Sequence, residues 1–206
     1  MNDIFRELGV DYLIEGGQTM NPSTEDVLSA IEKIPAKNIY ILPNNGNIIL
    51  AAEQAKDLTK DKAVHVIPTK NIPQGIAAMI NFVEGFTPEQ NEEAMTEALS
   101  EVKSGQVTYA VRDTVIDGKE IKAGNIMGLS DKTIEVVGTD VVDTTIDLLK
   151  KMMDEESELI TIYYGEEGTK EDAEKIAKAI KEIDDEMEVE IQYGGQPIYY
   201  CVVSVE

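Results

Sequence analysis

Ile39-Tyr40-Ile41-Leu42-Pro43-Asn44-Asn45-Gly46-Asn47-Ile48-Ile49-Leu50-Ala51-Ala52 runs from a β-branched apolar segment, through a turn of Pro, Asn and Gly, into apolar residues at helical spacing. A switch of period across a short polar turn marks a strand that feeds a helix. The strand is expected over residues 39–42, and Asn47 is expected to open a helix through Ile48, Ile49, Ala52 and Ala55. The same unit recurs on both sides. Upstream, a strand is expected over residues 12–14, then a helix capped by Ser23 or Thr24 with Val27, Leu28, Ile31 and Ile34 on one face. Downstream come a strand over residues 63–67 and a helix over residues 74–83. Alternation of this kind predicts a parallel sheet, here a β-α-β-α-β-α lobe over residues 1–86.

The texture then changes. Thr87-Pro88-Glu89 is a cap, a first-turn proline and an acid, and starts a helix with Met95, Ala98, Leu99 and Val102 as its apolar positions. That helix is expected to bridge two lobes. Val107-Thr108-Tyr109-Ala110-Val111, the Asp117-Gly118 turn signal and Ile134-Glu135-Val136-Val137 predict antiparallel strands. Helices are expected over residues 139–153 and 169–183, and strands over residues 159–164, 189–193 and 197–205. The expected fold class is therefore α/β in two lobes, residues 1–86 parallel and residues 87–206 mixed.

With 206 residues, 42% of them apolar, the chain can bury a real core. Its formal charge of −22 opposes unaided binding to nucleic acid or to an anionic membrane. The acidity is uneven. Residues 1–86 hold seven Lys and Arg against eleven Asp and Glu, a net −4, and residues 87–206 hold eleven against twenty-nine, a net −18. A solvated face is the plain reading of such runs. One Cys, Cys201, and one His, His65, can form neither an intrachain disulfide nor a closed thiolate-imidazole zinc site. The apolar runs are short for a membrane span, and residues 1–10 lack a signal-peptide layout, so a cytoplasmic protein without membrane insertion is expected.

In a parallel lobe the strand-to-helix turns gather on one edge, where ligands and partners usually sit. Three such turns supply the candidate partner- or ligand-binding residues: Gly17, Gln18, Thr19, Asn21 and Ser23 in the first, Asn44, Asn45 and Asn47 in the second, Thr69 and Gln74 in the third. Amides, hydroxyls and free N–H groups at helix starts suit a carbonyl or an oxyanion. The same residue types also simply make turns and caps. No Walker loop or dinucleotide fingerprint is present, because Gly16-Gly17 lacks a third glycine at the required spacing and no Gly-Lys-Ser/Thr follows. Asp113 and Asp117 could attract Mg²⁺ or could merely border a turn. His65 reads as a hydrogen-bonded buried imidazole, and Cys201 as a small apolar filler. Of Tyr163-Tyr164 and Tyr199-Tyr200, one ring of each pair is expected to face inward. No acid, base or nucleophile constellation appears, so catalytic residues and metal ligands are expected to be none.

Three long stretches carry a resemblance. Ile14-Glu15-Gly16-Gly17-Gln18-Thr19-Met20-Asn21-Pro22-Ser23, the segment from Ile41 to Ala52, and Val66-Ile67-Pro68-Thr69-Lys70-Asn71-Ile72-Pro73-Gln74-Gly75 closely resemble the C-terminal region of bacterial dihydroxyacetone-kinase-like proteins, the ATP-binding subunit of fatty acid kinase. The ending from Gly194-Gly195-Gln196 onward resembles the C-terminus of that family. The resemblance implies a DegV-like fold and a place in lipid metabolism and phospholipid synthesis. It also implies an N-terminal domain that carries ATP and Mg²⁺ and a middle domain whose Cys and His residues serve metal binding and catalysis, neither within these residues. By the same resemblance, Met1 starts an excised or truncated chain, and no cofactor belongs to this chain itself.

The implied partners are a kinase domain in cis and a separate DegV-type fatty-acid carrier whose acyl carboxylate is phosphorylated. The chain thus reads as a docking domain, not an enzyme by itself. Lipid-carrying relatives hold the carboxylate with hydroxyls and an Arg, whereas the first lobe has Arg6 alone and places amides in its second turn. The alternative is a DegV-like binder of a fatty acid or other small anion between the lobes.

Overall fold

A computed structural model describes residues 1–14, 16, 21–116, 118–130 and 133–206. One compact unit, Asn2–Val102, holds α1 (Asn2–Glu7), α2 (Thr24–Lys33), β1 (Asn38–Ile41), α3 (Ile49–Leu58), β2 (Ala63–Val66), α4 (Ile72–Ile80) and α5 (Pro88–Glu97). A second, Lys103–Glu206, holds β3 (Lys103–Tyr109), β4 (Thr114–Ile116), β5 (Lys119–Ile121), β6 (Ile126–Ser130), β7 (Thr133–Gly138), α6 (Val141–Met152), β8 (Leu159–Tyr164), α7 (Lys170–Ile183), β9 (Glu188–Tyr193) and β10 (Tyr199–Val205).

In the first unit β1 and β2 run parallel, Asn38 opposite Ala63 and Ile41 opposite Val66. Val27 and Ile31 of α2, Ala52 and Ala55 of α3, and Ile39, Val64 and Val66 of the strands form one core cluster. Ser23 caps α2 in a reciprocal box with Asp26. At the other end of that helix, the Lys62 ammonium donates to the carbonyls of Ile31 and Ile34 at 2.6 and 2.7 Å.

Four expectations need correction. Residues 12–14 form no strand: Ile14 packs on the core, but the Tyr12 hydroxyl takes a 3.0 Å hydrogen bond from Lys33 on α2. Among the described residues the parallel sheet therefore has two strands. Asn47 does not cap α3, because residue 48 is already helical in backbone and makes no side-chain cap. The α4 helix begins at Ile72, earlier than residue 74, because Asn71 supplies its cap and Pro73 suits its first turn. Finally, α5 belongs to the first unit, so contacts divide the chain after Val102 and not at residue 86. Its Met95 is fully buried against Ile67 and Ala78.

The second unit is a six-stranded sheet in the order β7-β6-β3-β10-β8-β9. Its pairs are antiparallel except β8 with β9, which α7 connects as a crossover. Val107, Ile126, Ile160, Ile162, Cys201, Val203 and Val205 of the sheet pack with Leu148 and Leu149 of α6 and with Ile176 and Ile180 of α7. The approach of α6 depends on Gly105 and Gly128: a Cβ on the first would lie 3.0 Å from Leu148 Cδ2, and on the second 3.2 Å from Leu148 Cβ. The β4–β5 hairpin turns through Gly118 at φ 75.

Cys201 is buried, and desolvation pushes its thiol up to about 12, so it is an inert filler. Tyr163 is buried beside a half-buried Tyr164, whereas Tyr199 and Tyr200 are both half-buried, because the register of β10 shifts between Tyr199 and Cys201. Among the described residues, no helix is long and apolar enough to cross a membrane.

Candidate functional site

At the carboxyl ends of β1 and β2 two of the three amide-rich turns meet. Asn44 follows the buried Pro43 with φ 54, a left-handed conformation that Asn tolerates better than most residues. Its N–H donates to Thr69 Oγ1 at 2.8 Å, and Thr69 is fully buried. The Thr69 N–H in turn closes a tight turn on the Ile67 carbonyl at 2.7 Å. The Asn44 side chain lies against the first turn of α4, where a Cβ on Gly75 would stand 2.1 Å from Asn44 Oδ1. That oxygen is buried without a hydrogen-bond partner.

Around this contact the polar groups largely satisfy one another. Asn71 Oδ1 accepts the Gln74 N–H at 3.0 Å. Gln74 Oε1 accepts the Lys70 N–H at 2.8 Å, and its Nε2 donates to the Leu99 carbonyl at 3.2 Å. Asn45 Oδ1 accepts the Asn47 N–H at 2.9 Å, a local turn. Asn44, Asn45, Asn47, Thr69 and Gln74 are thus brought to the two joined turns.

Ser23 is engaged with Asp26 at the start of α2, and Asn21 is exposed before it. The Ser23 contacts hold the Asp26 carboxyl below its ordinary range. Gly17, Gln18 and Thr19 lie outside the described residues. Gly75 joins the site without any local signal in the sequence, since its reason is a contact with Asn44 across the fold.

The other candidates resolve individually. Asp113 Oδ1 accepts the Ala123 N–H at 2.8 Å, a turn contact, and Asp117 lies outside the described residues. Among the described residues no group of three His, Cys, Asp or Glu is placed to hold a metal ion. His65 is half-buried; its Nδ1 lies 2.7 Å from Glu92 Oε2, and its ring stacks on Tyr40 at 5.0 Å. This pair ties β2 to α5.

In the second unit, Val141, Ile162, Tyr164, Thr169, Asp172 and Tyr200 line a shallow recess at the start of α7, whose volume of about 10 Å³ is roughly the room that one water molecule needs. The Lys175 ammonium and the Thr169 hydroxyl hold the Asp172 carboxyl below its ordinary range.

The joined turns give a first prediction. Ala in place of Gly normally favours a helix by roughly 0.5–1 kcal/mol, yet Gly75→Ala is expected to cost about 2 kcal/mol through its clash with Asn44. Adding Asn44→Gly removes both the clash and the left-handed strain and should bring stability back near wild type. Urea denaturation of the four proteins measures this cycle, and simple additivity would show that the two positions do not meet.

A family model for the C-terminal region of FakA-like fatty acid kinase proteins matches residues 1–206. Protein YloV of Bacillus subtilis (strain 168) is 46% identical over 204 residues, which cover 99% of this chain and 37% of YloV. A Staphylococcus aureus (strain NCTC 8325) protein is 44% identical over 206 residues, again 37% of its length. The chain thus spans 37% of the length of these curated relatives.

Among solved structures, the Streptococcus pneumoniae fatty acid kinase B3 protein loaded with linoleic acid is similar at TM-score 0.65 and 16% identity, over 90% of this chain and 76% of that one. A DegV family protein from Corynebacterium glutamicum gives 0.67 at 12% identity, over 100% and 91%. The dihydroxyacetone kinase of C. freundii with AMP-PNP and Mg²⁺ gives 0.60 at 15% identity, over 89% and 42%. At such identities these likenesses establish a DegV-like fold.

Proposed function

The chain belongs to the FakA-like C-terminal family of fatty acid kinase, and on that premise we propose that it docks a separate DegV-type fatty-acid carrier and presents its acyl carboxylate for phosphorylation. The kinase acts in cis in the longer protein and in the cytoplasm. ATP and Mg²⁺ belong, on this reading, to the part of the relatives outside the matched span. On the same reading the chemical step belongs to the kinase domain.

The observation that carries the reading is the whole-chain family match, in a domain built on the same fold as the acyl-loaded pneumococcal protein. The joined turns favour docking over ligand capture. Thr69 is sealed from solvent and already accepts the Asn44 N–H, and both ends of the Gln74 amide are engaged within the fold. Titration calorimetry of this chain against a purified, fatty-acid-loaded carrier should give a heat of association that weakens as salt rises. Absence of any heat rejects the proposal. A fatty-acid adduct on the chain in native mass spectrometry, without carrier, would favour the competing ligand-binding reading.

A further inference from the structure

The corner between α4 and α5 turns three large apolar side chains toward water: Ile80 is 65% exposed, Val83 42% and Phe86 45%. Their backbone is firmly tied. Asn91, itself buried, grips Val83 at both backbone groups, accepting its N–H and donating to its carbonyl, each at 2.9 Å. The Phe86 N–H donates to the same carbonyl at 3.0 Å, and Thr87 and Gln90 close a capping box at the next residue. Outward apolar groups on a backbone already ordered are the anchors that protein interfaces use, since little freedom is left to lose on binding.

Charge decides what can cover the corner. Between Lys70 and Lys103 there is no basic residue, while Glu84, Glu89, Glu92, Glu93, Glu97 and Glu101 all fall there. Glu92 is paired with His65. Glu84 sits between Val83 and Phe86, and Glu89, Glu93 and Glu97 recur at every fourth residue on an exposed face of α5. An anionic membrane or a nucleic acid is repelled by this rim. A second copy in a two-fold contact would set the same acids against each other. A protein whose apolar pocket is ringed by Lys and Arg complements it. We propose that the α4–α5 corner is the surface on which the fatty-acid carrier seats, through such a pocket. This inference rests on the docking reading above.

Calorimetry with the purified carrier, using this 206-residue chain, tests it. Val83→Ser with Phe86→Ser should weaken binding at least tenfold, while Leu58→Ser, an exposed apolar residue on α3, should leave it unchanged. Glu93→Lys with Glu97→Lys should weaken binding and flatten its salt dependence. Circular dichroism melting of each variant checks that the fold is retained. If wild type binds and both double variants bind equally well, the corner is not the docking surface, although the docking reading stands. If wild type fails to bind, the docking reading falls and takes this inference with it. A wild-type dimer in sedimentation that Val83→Ser with Phe86→Ser abolishes would assign the corner to a second copy and overturn the proposal.

Discussion

Leu148→Ala is expected to lower the stability of the chain by about 4–5 kcal/mol, the upper end of the range for such a truncation. The cost of a large-to-small change depends on how far the surroundings can collapse into the space left. Leu148 is fully buried on α6, and beneath it lie two positions with no side chain, Gly105 on β3 and Gly128 on β6. Both sit on the same face of adjacent strands, because Gly105 pairs with Ser130 and Val107 with Gly128. A ladder-bonded glycine has no rotamer with which to fill a cavity.

The measurement is urea or thermal denaturation, with Leu148→Met as the volume-conserving control at under about 1.5 kcal/mol. A sharper check uses Gly128→Ala. In wild type the added methyl would stand 3.2 to 3.4 Å from three carbons of Leu148 and should destabilise. In the Leu148→Ala background it retains only the 3.2 Å approach to Cβ and should recover stability. A loss below about 2 kcal/mol for Leu148→Ala would show that helix and sheet close the gap.

How much of this is readable from residue order depends on the range of the contact behind each feature. Residues 39–52 state their strand, turn and helix plainly, since an apolar run, a proline and a glycine turn are all local signals. Even there the cap is not legible. Asn45 and Asn47 are both good turn residues, and only the geometry through Gly46 shows that Asn45 spends its oxygen on Asn47, leaving the start of α3 without a side-chain cap. The start of α5 is legible in Thr87-Pro88, but its allegiance is not, because Met95 reaches Ile67 and Ala78 through space. Asn44 and Gly75 look like ordinary turn and helix residues until their contact is seen. Likewise the Asn91 grip on Val83 has no motif, since an Asn inside a helix reads as a surface residue. Alternation of strands and helices predicts a mixed second lobe, yet the place of β10 between β3 and β8 follows from pairings that no local pattern records.

Gly168→Ala is expected to cost about 3 kcal/mol for a different reason. Gly168 precedes the Thr169 cap of α7, and a Cβ there would stand 2.1 Å from the Tyr200 carbonyl oxygen and 3.0 Å from its carbon. A side chain could swing aside; a carbonyl cannot. This one also accepts the Gly165 N–H at 2.8 Å, and the next residue, Cys201, pairs with Tyr164 on β8. Relief of the clash therefore means breaking that hydrogen bond or displacing the first residues of β10, a central strand. Gly118 gives the contrast, with φ 75 and open space around it, so Gly118→Ala should show only left-handed strain of roughly 1–2 kcal/mol. Denaturation of the two variants side by side separates steric contact from backbone preference. If Gly168→Ala proves no worse than Gly118→Ala, the β8–α7 turn has room to open, and the tight seat of Tyr200 beside the recess at the start of α7 is not a constraint of this fold.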